Sequence, residues 1–272
     1  MMNRFFTLLF AASCLTAVGQ VQGDFNDDGC VQLEDLLGLL GSYGNCGFDD
    51  LTWQCGDPIG YEGYDYQTVL IGEQCWYAEN CRYLLDVHGS TNASQWAVTE
   101  TPRTFIQSEW SNTLQGAMEN NWSLEERLDL VQFSAGFQQW GVLYNWYCIE
   151  GMQLCPDGWH VPSEEDWLEM ENFLNPGLDP NGIGYRGSHG VMLKSANHFN
   201  GTNTTNFEGR PGGSVSNGIE GAVHSGNWWT SSEGNNIFQA WHRGLHYESN
   251  GMYRSSIDKY QGLSVRCIKD PE

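Results

Sequence analysis

Residues 24–35 read DFNDDGCVQLED, which places Asp24, Asn26, Asp28, Gly29 and Asp35 at positions 1, 3, 5, 6 and 12 of the stretch. Calcium takes about six to eight hard oxygen ligands, and a loop of this register supplies them. The ligands would be the side chains of Asp24, Asn26, Asp28 and Asp35, the carbonyl of Cys30, and Gln32 directly or through water. Gly29 permits the tight turn that aims them. The spacing predicts one bound Ca2+, whose charge relieves the repulsion between three converging carboxylates. Asp27 points elsewhere in this register.

No other set of reactive side chains forms a catalytic pattern. Glu164, Glu165 and Asp166 are adjacent, so on a helix they diverge, and all three suit the positive end of its dipole. HRGLH sets His242 and His246 four apart but lacks the Glu of a metalloprotease helix, and its surroundings read as strand. Neither a GxSxG elbow nor a phosphate-binding P-loop occurs. The chain is therefore read as non-enzymatic. Its aromatic residues offer another chemistry: Trp228, Trp229, Trp241, Tyr247 or Tyr253 could stack on sugar rings, with His242 and Arg243 as donors. The competing reading has Trp228 and Trp229 alternating across a strand, one buried and one partly covered.

The elements that must position these groups are short. Leu33, Leu36, Leu37, Leu40 and Tyr43 follow the calcium loop at helical spacing, and Gly44 and Gly47 stop the helix. Residues 48–60 read as a linker. YDYQTVLIGEQCWYAEN alternates β-formers around Gly72 and Glu73, a hairpin pattern. Residues 86–127 are polar and irregular, an insertion by composition. In WHVPSEEDWLEMENFLN, Ser163 caps a helix with Asp166 three residues on, and Trp167, Met170, Phe173 and Leu174 form one apolar face ended by Pro176 and Gly177. NWWTSSE, FQAWHRGLHYE, GMYRSSI and GLSVRCIKD read as strands between Gly- and Asn-rich loops. Few helices with many short strands predict an α+β domain.

Twelve Lys and Arg against 34 Asp and Glu give a net charge of −22, which repels phosphate backbones and anionic headgroups. Nucleic acid is not an expected partner. Residues 1–19 read as a secretory signal peptide, with Arg4 before an apolar run from Phe5 to Val18 too short to span a bilayer. Cleavage is expected after Gly19 and as late as Gly23, leaving no integral membrane segment. A rival reading makes Cys14 a lipid-anchored first residue, but AAS before it is a poor lipobox. Without Cys14, eight of the nine cysteines remain, an even number that reads as a disulfide framework in an exported chain.

TVLIGEQCWYAEN (68–80), WGVLYNWY (140–147), LCPDGWHVPSEEDW (154–167), FEGRPGG (207–213), NWWTSSE (227–233) and GLSVRCIKD (262–270) together resemble, in order, the Fibrobacter succinogenes major paralogous domain. The resemblance implies that residues 61–272 adopt a C-type lectin-like fold, with two short helices around a curled antiparallel sheet and a loop-rich ligand face. It also implies an exported, surface-associated bacterial protein. Calcium-dependent lectins use EPN or QPD and WND motifs, and none occurs here. Cys81 and Cys148 stand where the family usually has an aliphatic and a small residue, which suggests that they pair. The expected bridges are Cys30–Cys46, Cys55–Cys75, Cys81–Cys148 and Cys155–Cys267, out of about 105 connectivities open to eight cysteines.

Residues 24–47 are similar to one dockerin type I repeat, whereas dockerins carry two. The leading expectation is a secreted or cell-surface protein that binds a glycan or protein. An assembly module docking a cohesin-like partner is the second. A divergent enzyme of the formylglycine-generating type is the third, and it needs a reactive cysteine pair. If calcium staples the loop to its helix, EDTA should accelerate amide exchange across residues 24–47 and leave residues from 60 onward nearly unchanged. Equal exchange with and without calcium, followed by mass spectrometry, would count against the staple.

Overall fold

The computed structural model describes residues 53–84, 102, 104–105, 123, 126, 135–216 and 219–271. The chain divides into two compact units, Met1–Trp53 and Gln54–Glu272. The leader, the calcium loop, its helix and the expected Cys30–Cys46 bridge lie outside the described residues.

The second unit mixes short helices with mostly antiparallel sheets. Ile59–Tyr61 (β1) pairs with Tyr64–Tyr66 (β2), so regular structure begins inside the stretch read as a linker. Thr68–Ile71 (β3) and Gln74–Tyr77 (β4) form the expected hairpin around Gly72 and Glu73. Gly72 takes φ +64°, and a Cβ there would lie 3.1 Å from the Phe173 ring. Thr104–Phe105 (β5) pairs with Leu143–Tyr144 (β6). Three helices are Ala135–Trp140 (α1), Tyr147–Gly151 (α2) and Glu164–Leu174 (α3), and Gly190–Leu193 (α4) adds one turn.

Two four-stranded sheets dominate. The first has the order β11, β12, β13, β8, from Ser225–Glu233 (β11), Gln239–His246 (β12), Met252–Asp258 (β13) and Gly184–Arg186 (β8). In the second, Ile268–Lys269 (β14) lies between β4 and Trp159–His160 (β7), with β3 at the far edge. Ser214–Val215 (β9) and Ile219–Glu220 (β10) make a separate pair. The core between these layers is aromatic: Trp76 and Trp167 rings lie 4.9 Å apart, and Phe207 sits 5.9 Å from Trp228. Buried Arg266 packs its guanidinium 4.2 Å over Phe207 and donates to the carbonyls of Tyr77 and Phe207 and to Asn80 Oδ1. The same Asn80 oxygen accepts from Trp228 Nε1 at 2.8 Å.

α3 starts with the expected capping box: Ser163 Oγ accepts from the Asp166 N–H, and Asp166 Oδ2 accepts from the Ser163 N–H. Trp167 and Met170 are buried, but Phe173 is 59% exposed and lies on Gly72 rather than in the core. Glu164 is more than a dipole partner. It and Glu171 point into the protein, where Glu164 binds Arg243 through both oxygens, at 2.8 and 3.0 Å, and also accepts from Arg254. Glu171 bridges Arg243 and Arg186. Trp228 and Trp229 are both fully buried on opposite faces of β11, so neither is the partly covered ring expected there.

Cys55–Cys75 and Cys155–Cys267 are bridged as expected. The expected Cys81–Cys148 bridge is not formed. The Cys148 thiol donates to Asn145 Oδ1 at 3.3 Å near the start of α2. Cys81 follows β4, and its N–H donates to the Val265 carbonyl, which brings its sulfur beside Cys267 instead.

Removing one carboxylate from the Arg–Glu cluster leaves a buried guanidinium without its counter-charge, at a cost of roughly 3–5 kcal/mol. Glu171→Ala should lower the unfolding free energy in urea by that order. Glu165→Ala, on the exposed side of the same helix, should change it by no more than about 0.5 kcal/mol.

Candidate functional site

Directly paired strand residues share a sheet face. Trp228, Arg243 and Arg254 are paired across β11, β12 and β13, and the Arg–Glu contacts show that this face meets α3. Trp241 lies on the same side, with the Arg254 guanidinium 4.0 Å over its ring. The opposite face carries Trp229, His242 and Ser255 in one row and Asn227, Gly244, Tyr253 and Tyr185 in the next. The residues expected at the ligand face are thus divided. Trp241 and Arg243 face the helix, and Arg243 has no exposed surface. His242 and Tyr253 face away from it, and Tyr247 is 47% exposed in the turn after β12 with its ring 6.4 Å from His224.

What the outer face brings together is an aromatic step. Tyr185 is 51% exposed, and its ring centroid lies 4.9 Å from that of half-buried Tyr253 at an angle of 58°. His242 stands behind, 5.8 Å from Tyr253 and 6.5 Å from Trp229. Gly244 makes room for this packing, since a Cβ there would meet Asn227 Oδ1 at 2.9 Å and Tyr253 Cβ at 3.3 Å. Tyr185 has no sequence signal of its own: it sits in the Gly-rich NGIGYRG stretch, in a strand of three residues without alternation. A second exposed group, Ile237 and Phe238 at 69% and 63%, occupies the tip between β11 and β12.

A pocket of about 290 Å³ opens near β7, lined among others by Met152, Cys155, Trp159, His160 and Ser231. His160 is not available there as a free base, since Nε2 lies 3.1 Å from Asp166 Oδ2 and Nδ1 lies 2.5 Å from Asp270 Oδ1. The bond to Asp166 holds its pKa above the ordinary value against the opposing effect of burial. Among the described residues no cluster of three His, Cys, Asp or Glu side chains could hold a metal ion. Nor is any helix among them long and apolar enough to cross a membrane.

Residues 69–269 match the Fibrobacter succinogenes major domain. The chain belongs to that family. The match covers the sheet β11–β12–β13–β8, α3 and the Tyr185–Tyr253 step, which thus lie within the Fibrobacter succinogenes major domain. No curated protein and no solved structure is detectably similar to the chain.

His242 is buried with Nδ1 lacking a hydrogen-bond partner, and burial lowers its pKa to about 4. His189, buried with neither ring nitrogen bonded, is lowered to about 4 by burial and by Arg186 and Arg243. Both are neutral in the fold and take up a proton on unfolding below about pH 6.5. Their stabilising contribution is full above that pH and falls as pH drops toward 4. His160, with a raised pKa, is protonated in both states below about pH 6.5 and loses its contribution only as pH rises through its folded value. Between pH 6.5 and 5, each buried histidine should therefore give up to about 1.4 kcal/mol per pH unit. Urea unfolding of His242→Phe should show the smaller slope of one titrating histidine.

Proposed function

We propose that this Fibrobacter succinogenes major domain protein is a secreted or cell-surface, non-enzymatic binding protein with a C-type lectin-like fold. Its ligand is a glycan held on the Tyr185–Tyr253 face. The supporting observation is the exposed tyrosine pair on the sheet face turned away from α3. Apolar sugar faces stack on such rings, and two phenol groups at the rim supply donors and acceptors for hydroxyls. The pair is held by sheet pairing rather than by a loop, so little side-chain freedom is lost on binding. Arg243 has no part in this contact, because both of its carboxylate partners lie on α3.

In this reading Ca2+ staples the loop at 24–35 and the signal peptide delivers the chain to the outside. The exposed Ile237 and Phe238 favour a second reading, in which a surface protein docks at the β11–β12 tip. A cohesin-like partner at the calcium loop-helix is the third, and calcium-dependent capture of a cohesin would favour it.

The mature chain should be retained on a panel of immobilised glycans. Tyr185→Ala and Tyr253→Ala should each weaken retention about tenfold, equivalent to about 1.4 kcal/mol, with the melting temperature little changed by Tyr185→Ala. Absence of any glycan retention, or retention untouched by both changes, would count against the tyrosine face. Loss of protein capture on Phe238→Ser alone would favour the second reading.

A further inference from the structure

Three sulfur atoms meet where β14 enters its sheet. Cys155 and Cys267 are bridged, and the buried Cys81 sulfur lies 3.5 Å from Cys267 Sγ. Cys81 Sγ and Cys267 Sγ also lie 3.9 and 3.8 Å from one carbonyl oxygen, that of Leu154, the residue before Cys155. This convergence follows from the strand order. β14 has β4 on one side and β7 on the other, Cys81 comes just after β4, and Cys155 comes just before β7. Cys267, immediately before β14, can thus reach a sulfur on either flank. Only one of the two can hold it at a time.

We propose that Cys81, Cys267 and Cys155 form an internal disulfide-exchange site, in which the bridge to Cys267 passes from Cys155 to Cys81 and leaves Cys155 as a modifiable thiol in the wall of the pocket. Cys81 loses its proton and its sulfur attacks Cys267 Sγ. The Cys81–Cys267 bond forms as the Cys267–Cys155 bond breaks, and Cys155 leaves as a thiolate that takes up a proton. No electrons enter or leave the protein, so the step needs no oxidant or reductant. At 3.5 Å the two sulfurs are already in contact, the distance from which such an attack starts.

The two end states differ in which thiol lines the pocket. Cys81 is buried near Tyr66 and Tyr77 and does not line the pocket, whereas Cys155, 4% exposed, lines it with Met152 and Trp159. In the exchanged state the pocket would present a thiol among apolar and polarisable side chains. The matching ligand class is a small soft electrophile or a low-molecular-weight disulfide. With the latter, the Cys155 thiolate would form a mixed disulfide and expel one thiolate. Burial pushes the Cys81 thiol up to about 12, partly opposed by the Arg266 guanidinium. Exchange should therefore be slow near neutrality and accelerate with its thiolate fraction, about tenfold per pH unit.

The test uses the intact, reductant-free protein treated with iodoacetamide at pH 7, 8 and 9, acid-quenched before unfolding, and mapped without reduction. Alkylated Cys155 should accumulate together with a Cys81–Cys267 linked peptide, at a rate rising about tenfold per pH unit. Cys81→Ser should leave Cys155 unlabelled and still bridged to Cys267. Equal labelling of Cys155 in both proteins would overturn the proposal, as would a wild-type map containing only Cys155–Cys267 at every pH or label confined to Cys81. If Cys81→Ser does not fold, the presence or absence of the wild-type Cys81–Cys267 peptide decides by itself.

Discussion

Arg243 is shut away from water, and its three hydrogen bonds to carboxylates all go to α3. Placing a guanidinium there costs several kcal/mol of hydration, which is recovered only when oxygens meet it in good geometry. Glu164 provides a bidentate grip, and Glu171 fixes the third position while also holding Arg186 from β8, two strands away at the sheet edge. The helix must therefore cross the sheet at one height and one rotation. A purely apolar contact between Trp167, Met170 and the sheet would tolerate sliding, whereas these charges do not. We attribute the register of α3 over β12, β13 and β8 to this cluster.

That constraint leaves the two faces of the sheet unequally filled. On the helix side Trp241, Arg243 and Arg254 are occupied by packing or by charge. The other side is sealed at β11, where Trp229 donates to the Tyr144 carbonyl at 2.7 Å, and opens progressively toward β8. The exposed tyrosines stand at that open edge. A family domain built in this way can vary its outer-edge residues without disturbing the ionic seam behind them, because alternate strand residues face opposite sides.

Much of the scaffold was legible in the sequence because it rests on local rules. Gly72 and Glu73 announced the hairpin, Ser163 and Asp166 announced the helix start, and three β-forming runs gave long strands, while GLSVRCIKD gave only the two-residue β14. What was missed depends on contacts distant in sequence. Glu164 and Glu171 fall seven apart, on the helix face that also carries Trp167, and that spacing was the available hint that they point inward. Phe173 was expected inside but covers Gly72 at the rim. Two cysteine pairings followed the expected pattern, while Cys81 did not, because the sulfur nearest to it is already bonded to another. The candidate site was readable only in halves: Tyr253 came from the aromatic pattern, and Tyr185 comes from a short strand whose partner is fixed only by the folded sheet.

β14 is an interior strand, and its arrival completes far more than its two residues would suggest. Arg266, just before it, reaches across 189 positions to the Tyr77 carbonyl and supports the aromatic core from the middle. Until that segment emerges during synthesis, β4 and β7 have no strand between them, and Asn80 and Phe207 lack the guanidinium packed against them. Assembly of the domain is thus a late, long-range event rather than a progressive one, the topology that slows folding most. A nascent chain of this design keeps its β3–β4 hairpin and β7 unjoined until that strand arrives.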